Sequence, residues 1–247
     1  MLKDFYQFIN EDNSQDFIKD LAMKLISQIR NYSDSETEEY SIFSGIRFTE
    51  PYSFNLSLEI RKDSHFSAKE DSHFNGLPWE QLNFKEDGYS IDANTRVKKD
   101  NSAIPEIIIT LVIDPKKEPH LYSSLYARLV DILTHETHHL TQLSNTSGPN
   151  SANPTTGATR ENAKKSYEYF LLPDEIESMV EGMYARSNEL KVPLDEIFDD
   201  YLHPFLVYEY ITKDEYLKVM NVWIKYALEN YPNVSFSDDV DDIINSI

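Results

Sequence analysis

Residues 120–143 constrain the fold of this chain more than any other segment, because apolar side chains recur in them at helical spacing over several turns. The spacing predicts a long amphipathic α-helix, and Pro119 favours a helix start at this point. Its core face is marked by five residues: Leu121, Leu125, Leu129, Ile132 and Leu133. Such a helix requires an apolar partner layer, for which the preceding segments are the candidates.

Four β-strand patterns precede this helix, after a predicted amphipathic helix at residues 14–31. The strand patterns cover residues 40–48, 52–61, 89–97 and 106–113. The second alternates between apolar and polar residues, as a half-buried strand does. The fourth is almost continuously apolar, which indicates a strand buried on both faces. Between the second and third strands, the sequence of residues 62–84 predicts only a loop or a short excursion.

The second half of the chain is predicted to be mostly helical. Residues 144–161 are rich in Gly, Pro, Ser, Asn and Thr, and predict a mobile loop. Helices are expected at 173–190, after Pro193 and after the capping box of Thr212 and Glu215, while the acidic C-terminal tail is expected to be loosely attached. In the last helix, we expect six residues to face inward: Tyr216, Val219, Met220, Trp223, Ala227 and Tyr231.

This order predicts an α+β fold, with a small mixed sheet packed on the long helix. Residues 1–145 are expected to form the sheet and helix subdomain, 146–161 the flexible loop and 162–247 a helical subdomain that carries the third ligand.

The long helix carries the sequence His-Glu-Thr-His-His at residues 135–139. Four residues turn an α-helix by about 400°, so His135 and His139 point the same way and can share a metal ion. Glu136 lies beside them and can take a proton from a metal-bound water as that water attacks a carbonyl. His138 lies about 100° away from His139 around the helix and is expected to be an exposed or supporting polar residue, with a role in substrate binding as the alternative.

A catalytic zinc needs a third protein ligand, and the chain has no cysteine to supply it. The helix at 173–190 offers Glu175, Glu177 and Glu181. Glu175 is the favoured ligand because it shares a helix face with small residues, which allow close approach of another helix. Those small residues are Ser178, Gly182 and Ala185. Glu177 and Glu181 remain alternatives on a face that looks solvated.

The two motifs resemble the gluzincin class of zinc metallopeptidases. In that class the HExxH helix supplies two His ligands and a Glu on a later helix supplies the third, often in Glu-x-x-Ala or Glu-x-x-Ser, as in Glu175-Ile176-Glu177-Ser178 here. The resemblance implies a zincin-like fold, a Zn²⁺ cofactor and peptide-bond hydrolysis. Residues 172–186 also resemble uncharacterised HExxH proteins of large tailed bacteriophages, which implies a viral origin and a location in host cytoplasm or virion.

The net charge of −20 argues against nucleic acid as a partner, since phosphates require a basic face. No stretch reaches the roughly 18 apolar residues that a membrane span requires, and the N-terminus lacks a signal-peptide pattern. A cytoplasmic protein acting on a peptide or protein substrate is therefore expected. The alternative is a non-catalytic, metal-stabilised viral structural or interaction protein, although Glu136 and the lack of cysteine favour an enzyme.

Three further expectations concern the surroundings of the site. Stabilisation of an oxyanion requires a polar or cationic side chain, for which the candidates are Tyr167, Tyr184, Arg186 and His203.

The strand at 106–113 should lie in the sheet beside the HExxH helix. In zincins an edge strand pairs with extended substrate, and either this strand or the strand at 89–97 could serve. The loop at 144–161 is expected to lie near the active-site cleft, either as a lid or as a plain connector.

Overall fold

A computed structural model describes residues 11–33, 40–48, 53–67, 78–96, 104–117, 121–145 and 167–240. The α-helices in this part of the chain are α1 (Glu11–Ser33), α2 (Pro78–Asp87), α3 (Leu121–Asn145), α4 (Pro173–Leu190), α5 (Leu194–Val207) and α6 (Lys213–Asn230). The strands are β1 (Tyr40–Phe48), β2 (Phe54–Lys62), β3 (Tyr89–Arg96) and β4 (Glu106–Ile113). Short 3₁₀ helices cover Tyr169–Leu171 and Asp238–Val240. The α+β class predicted from the sequence is confirmed.

The chain divides into two compact units, Met1–Leu140 and Thr141–Ile247. The first contains a mixed sheet in the order β1-β2-β4-β3. β2 and β4 are parallel, while β1 and β3 are antiparallel to their neighbours. β4 is therefore an interior strand, as its continuous apolar sequence indicates, and its possible role as an edge strand is wrong. Among the described strands, β3 and β1 form the two edges.

One face of the sheet forms the main core of this unit. Leu56 and Leu58 of β2 lie opposite Ile107 and Ile109 of β4, and all four side chains are fully buried. Thr95 of β3 pairs with Ile107, so its side chain points to the same face. Its hydroxyl contacts Glu136, and this contact places α3 on that side of the sheet. The apolar face of α3 is buried at Leu125, Leu129, Ile132 and Leu133.

The helix α2 was not anticipated, because the sequence of residues 62–84 shows no apolar period. Only part of this segment is described, residues 62–67 and 78–84. Phe84 supplies the anchor: its ring lies 5.0 Å from that of Phe66, and both pack with Val112 on the other face of the sheet. Gly88 ends the helix with φ +83°, a conformation that disfavours other residues, and a Cβ there would lie 2.8 Å from Lys117 Cβ.

The second unit is built from α4, α5 and α6 around an aromatic core. Phe170 is fully buried and lies edge-on to Phe205 and Trp223. The indole N–H of Trp223 donates to the Phe170 carbonyl over 2.9 Å, so the 3₁₀ helix is fixed to α6. The capping box at Thr212 is confirmed. Of the residues predicted to face inward in the last helix, Tyr216 and Tyr231 are only half-buried.

The chain after α6 is attached more firmly than the sequence predicts, as far as residue 240. Asp195 accepts hydrogen bonds from the backbone N–H and the hydroxyl of Ser237, and Val240 is buried. The expectation of a loose tail is therefore wrong for this stretch, because Asp195 and an apolar side chain anchor it. Residues 241–247 and residues 146–161 of the predicted loop lie outside the described residues, whereas residues 144 and 145, predicted as the start of that loop, belong to α3. None of the described helices is both long and apolar enough to span a bilayer.

Candidate metal centre

The HExxH motif lies within α3, whose continuous helix places its polar residues on defined faces. His139 and Glu136 are buried, with 8% and 6% of their surface exposed, and His135 is half-buried. Burial of three polar side chains costs folding free energy unless they bind each other, other polar groups or a ligand. The face is therefore built for an interaction rather than for solvent.

The imidazole rings of His135 and His139 converge. Their Nε2 atoms lie 3.0 Å apart, and the ring planes meet at 88° with the centroids 4.6 Å apart. A tetrahedral zinc with Zn–N bonds of about 2.0–2.1 Å separates two ligand nitrogens by about 3.3 Å. The spacing of the two nitrogens is therefore close to that of a shared metal ion.

Glu175 completes a group of three side chains with these histidines. One ligand atom from each of His135, His139 and Glu175 lies within 4.8 Å of the other two. Glu175 is only 2% exposed, so its carboxylate is held away from solvent. Two imidazoles and one carboxylate suit a catalytic zinc, which uses three protein ligands and leaves one position open. The donor set present therefore fits this metal.

Local sequence explains how Glu175 is held at the start of α4. Leu172 is the extended N-cap, Pro173 occupies the first turn, and the acidic Asp174 and Glu175 complement the positive end of the helix dipole. Ser178 is fully buried and donates to the Asp174 carbonyl over 2.7 Å. Gly182 and Ala185 are buried as well, so the face of small residues inferred from the sequence is packed.

Gln142 is a residue of this region that sequence reasoning missed. It lies in the last turn of α3, within the second unit, and its amide donates to the Asp174 carbonyl over 3.0 Å and to Glu177 Oε2 over 3.3 Å. It therefore ties this turn to the residue next to Glu175. A glutamine three positions after a histidine carries no signal in the sequence that would reveal this contact.

Glu177 and Glu181, the alternative ligands, lie outside the group of three. Both are half-buried, and their carboxylates add to burial in raising the pKa of Tyr226 to about 12. The face that they share was expected to be solvated, and it is so only in part, because Asn188 is exposed while the two glutamates are half-buried. Tyr184 on the same face stacks on Tyr231, with ring centroids 4.2 Å apart, because α6 packs against α4 there.

Glu136 is held by the sheet. The hydroxyl of Thr95 donates to Glu136 Oε2 over 2.7 Å and lies 3.4 Å from the Glu136 carbonyl oxygen. Thr95 was not among the residues selected from the sequence. Alternation along β3 places it on the helix-facing side, but no motif distinguishes it from the other residues on that side.

The remaining candidates make contacts elsewhere in the structure. Arg186 pairs with Asp200 at 2.8 Å, and the exposed His203 lies 3.6 Å from Asp199. Tyr167 lies beneath the ammonium of Lys218, and Tyr184 is stacked as described above. His138 is half-buried and does not belong to the group of three. These contacts therefore do not identify an oxyanion-stabilising group among the candidates.

Comparisons of the chain with protein-family models, with curated proteins and with solved structures find no match.

Proposed function

We propose that this chain is a zinc-dependent peptidase of the gluzincin type with a zincin-like fold. The observation that carries the proposal is the convergence of His135, His139 and Glu175, with the buried carboxylate of Glu136 in the same helix as the two histidines. A structural zinc is usually enclosed by four ligands and often uses cysteine. Three ligands, no cysteine and an adjacent carboxylate favour a catalytic site.

Each residue has a distinct task in this proposal. His135, His139 and Glu175 hold the zinc ion, which when bound polarises a scissile carbonyl and makes water easier to deprotonate. The carboxylate of Glu136 takes the proton from the attacking water and delivers it to the leaving amine. Because Glu136 is buried, its charge acts with little screening by solvent.

The substrate in this proposal is an extended peptide that adds to the edge strand β3. Within the described residues β3 pairs only with β4, so the backbone groups on its outer edge can bind an added strand. Thr95 of this strand contacts Glu136, so a peptide at the edge would lie close to the general base. The expected edge strand is therefore β3 rather than β4.

The experiment combines metal analysis with a peptide-library cleavage assay of wild type, Glu136→Gln and Glu177→Gln. We expect one zinc per chain in all three. Cleavage should fall by about 10²–10⁴-fold in Glu136→Gln, because the general base is lost, while the control Glu177→Gln retains it.

Two outcomes would count against the proposal. A wild-type protein that binds zinc, unfolds on chelation and cleaves no peptide would be a metal-stabilised, non-catalytic module. If the wild-type protein binds no zinc, neither the peptidase nor the metal-stabilised module has support.

A further inference from the structure

We infer that Thr95 is a positioning residue, which fixes the carboxylate of the general base Glu136 from the edge strand of the sheet. The inference rests on the proposed function, since it assigns a role to Thr95 in the same reaction. The observation behind it is the 2.7 Å hydrogen bond from the Thr95 hydroxyl to Glu136 Oε2. It joins two elements separated by 41 residues in the chain.

The donor of this hydrogen bond is rigid. Thr95 belongs to β3 and is in register with Ile107 of β4, so the antiparallel ladder between these strands holds its backbone. A β-branched side chain has few accessible χ1 rotamers, and that of Thr95 is half-buried. The position of the hydroxyl is therefore set by the sheet and not by a mobile loop.

The acceptor needs this support. A glutamate side chain has several rotatable bonds, and its helix defines only the position of its Cβ. A general base acts only when its oxygen lies within hydrogen-bond reach of the proton that it removes. An error of about 1 Å in such a position can cost about 100-fold in rate. One hydrogen bond from the sheet selects the orientation of the carboxylate before substrate binds.

The location of Thr95 also couples the base to the substrate. The strand that would pair with an extended peptide is the strand that holds Glu136. One strand then sets the distance between the peptide backbone and the carboxylate of Glu136. Loss of the Thr95 hydroxyl should therefore slow the chemical step more than it weakens substrate binding.

The test uses the full-length zinc-loaded protein with Thr95→Val, which keeps the shape and strand preference of the residue but removes its hydroxyl. We expect kcat to fall about 10- to 100-fold with KM and zinc content almost unchanged, as expected when a base loses its alignment. Thr95→Ser keeps the donor and should restore kcat to within about threefold of wild type. An unchanged kcat in Thr95→Val, or no rescue by Thr95→Ser, would overturn the inference.

A double-mutant cycle separates positioning from a general structural role. In the Glu136→Gln background the base is already lost, so Thr95→Val should have almost no further effect on the residual rate. If the two effects multiply instead, Thr95 acts independently of Glu136 and the inference is wrong.

A measurement without catalysis keeps the inference testable if the wild type proves inactive. In crystal structures of the metal-free protein, Glu136 should adopt one rotamer in wild type and Thr95→Ser. In Thr95→Val it should move or occupy several rotamers. An unmoved, ordered Glu136 in Thr95→Val would refute the positioning role. An inactive wild type would refute the proposed function alone.

Discussion

The two units of the chain are stabilised in different ways. In the first, aliphatic side chains of β2 and β4, such as Leu58 and Ile109, are buried on the sheet, and backbone hydrogen bonds link the strands. In the second, an aromatic core around Phe170 is supplemented by polar contacts between the helices and the segments beside them. Asp195 holds Ser237, and Trp223 donates to the Phe170 carbonyl.

Each unit also holds a candidate site residue in its own way. The sheet holds Glu136 through Thr95, so changes in the first unit should alter the chemical step of the proposed reaction. The helical unit holds Glu175 through the packing of α4, so changes there should alter metal binding. If the helical unit depends on a few such contacts, the loss of one of them should have a larger effect than the loss of an exposed side chain.

Trp223→Ala is the substitution that should damage the helical unit most. Trp223 is fully buried, and its loss creates a cavity beside Phe170 and leaves the Phe170 carbonyl without its indole donor. Replacing a buried tryptophan by alanine costs about 3–5 kcal/mol. Urea unfolding followed by circular dichroism measures the change. Leu228→Ala, on the exposed side of the same helix, is the control and should cost far less. A loss below about 1 kcal/mol for Trp223→Ala would contradict the dependence on this contact.

Glu175→Ala should have the next largest effect, and it concerns metal affinity rather than stability. Substitutions that only support a ligand lower affinity about 10- to 100-fold, so loss of a ligand should lower it by at least about 100-fold. Competition with a zinc-sensitive chelator measures the dissociation constant. The matched controls Glu177→Ala and Glu181→Ala should bind zinc nearly as tightly as wild type. If Glu181→Ala loses zinc and Glu175→Ala does not, the ligand assignment is wrong.

Periodicity and motifs predicted the elements that depend on local sequence. The strands were anticipated to within two residues at each end, and the HExxH helix was placed at 120–143 against Leu121–Asn145 in the structure. The spacing of apolar residues suffices to locate these strands and helices, because it shows which face of each element is buried. The convergence of His135 and His139 follows from helix geometry in the same way.

The contacts between distant segments could not be predicted from one sequence. Thr95 and Glu136 are separated by 41 residues, and Gln142 and Glu177 by 35. Which polar side chain meets which partner depends on register and helix packing, and many threonines and glutamines have similar local surroundings. The helix α2 was not predicted for a related reason. Its Phe84 packs against Val112, which is distant in sequence.

Thr212→Ala should have a smaller effect on the helical unit. The Thr212 hydroxyl accepts from the Glu215 backbone N–H, while the Glu215 carboxylate accepts from the Thr212 backbone N–H. Loss of such a cap typically costs about 1 kcal/mol. Chemical unfolding measures the change, and Thr212→Ser, which keeps the hydroxyl, should remain close to wild type. An alanine variant as stable as wild type would show that packing alone fixes the start of α6.

The smallest effect is confined to alkaline pH and concerns Tyr226. Burial, followed by the nearby carboxylates of Glu177 and Glu181, raises the pKa of Tyr226 from 10.0 to about 12 in the folded protein. The neutral phenol therefore favours the folded state, and this contribution is complete below pH 10. It is lost as the pH rises from about 10 to 12, because the unfolded chain ionises first. Tyr226→Phe cannot ionise, so its stability should fall less steeply over this interval than that of wild type. The free energy of unfolding at several pH values measures the difference, with Tyr208→Phe, at an exposed position, as the control. Equal slopes for Tyr226→Phe and wild type would show that the phenol ionises as easily in the folded helices as in the unfolded chain.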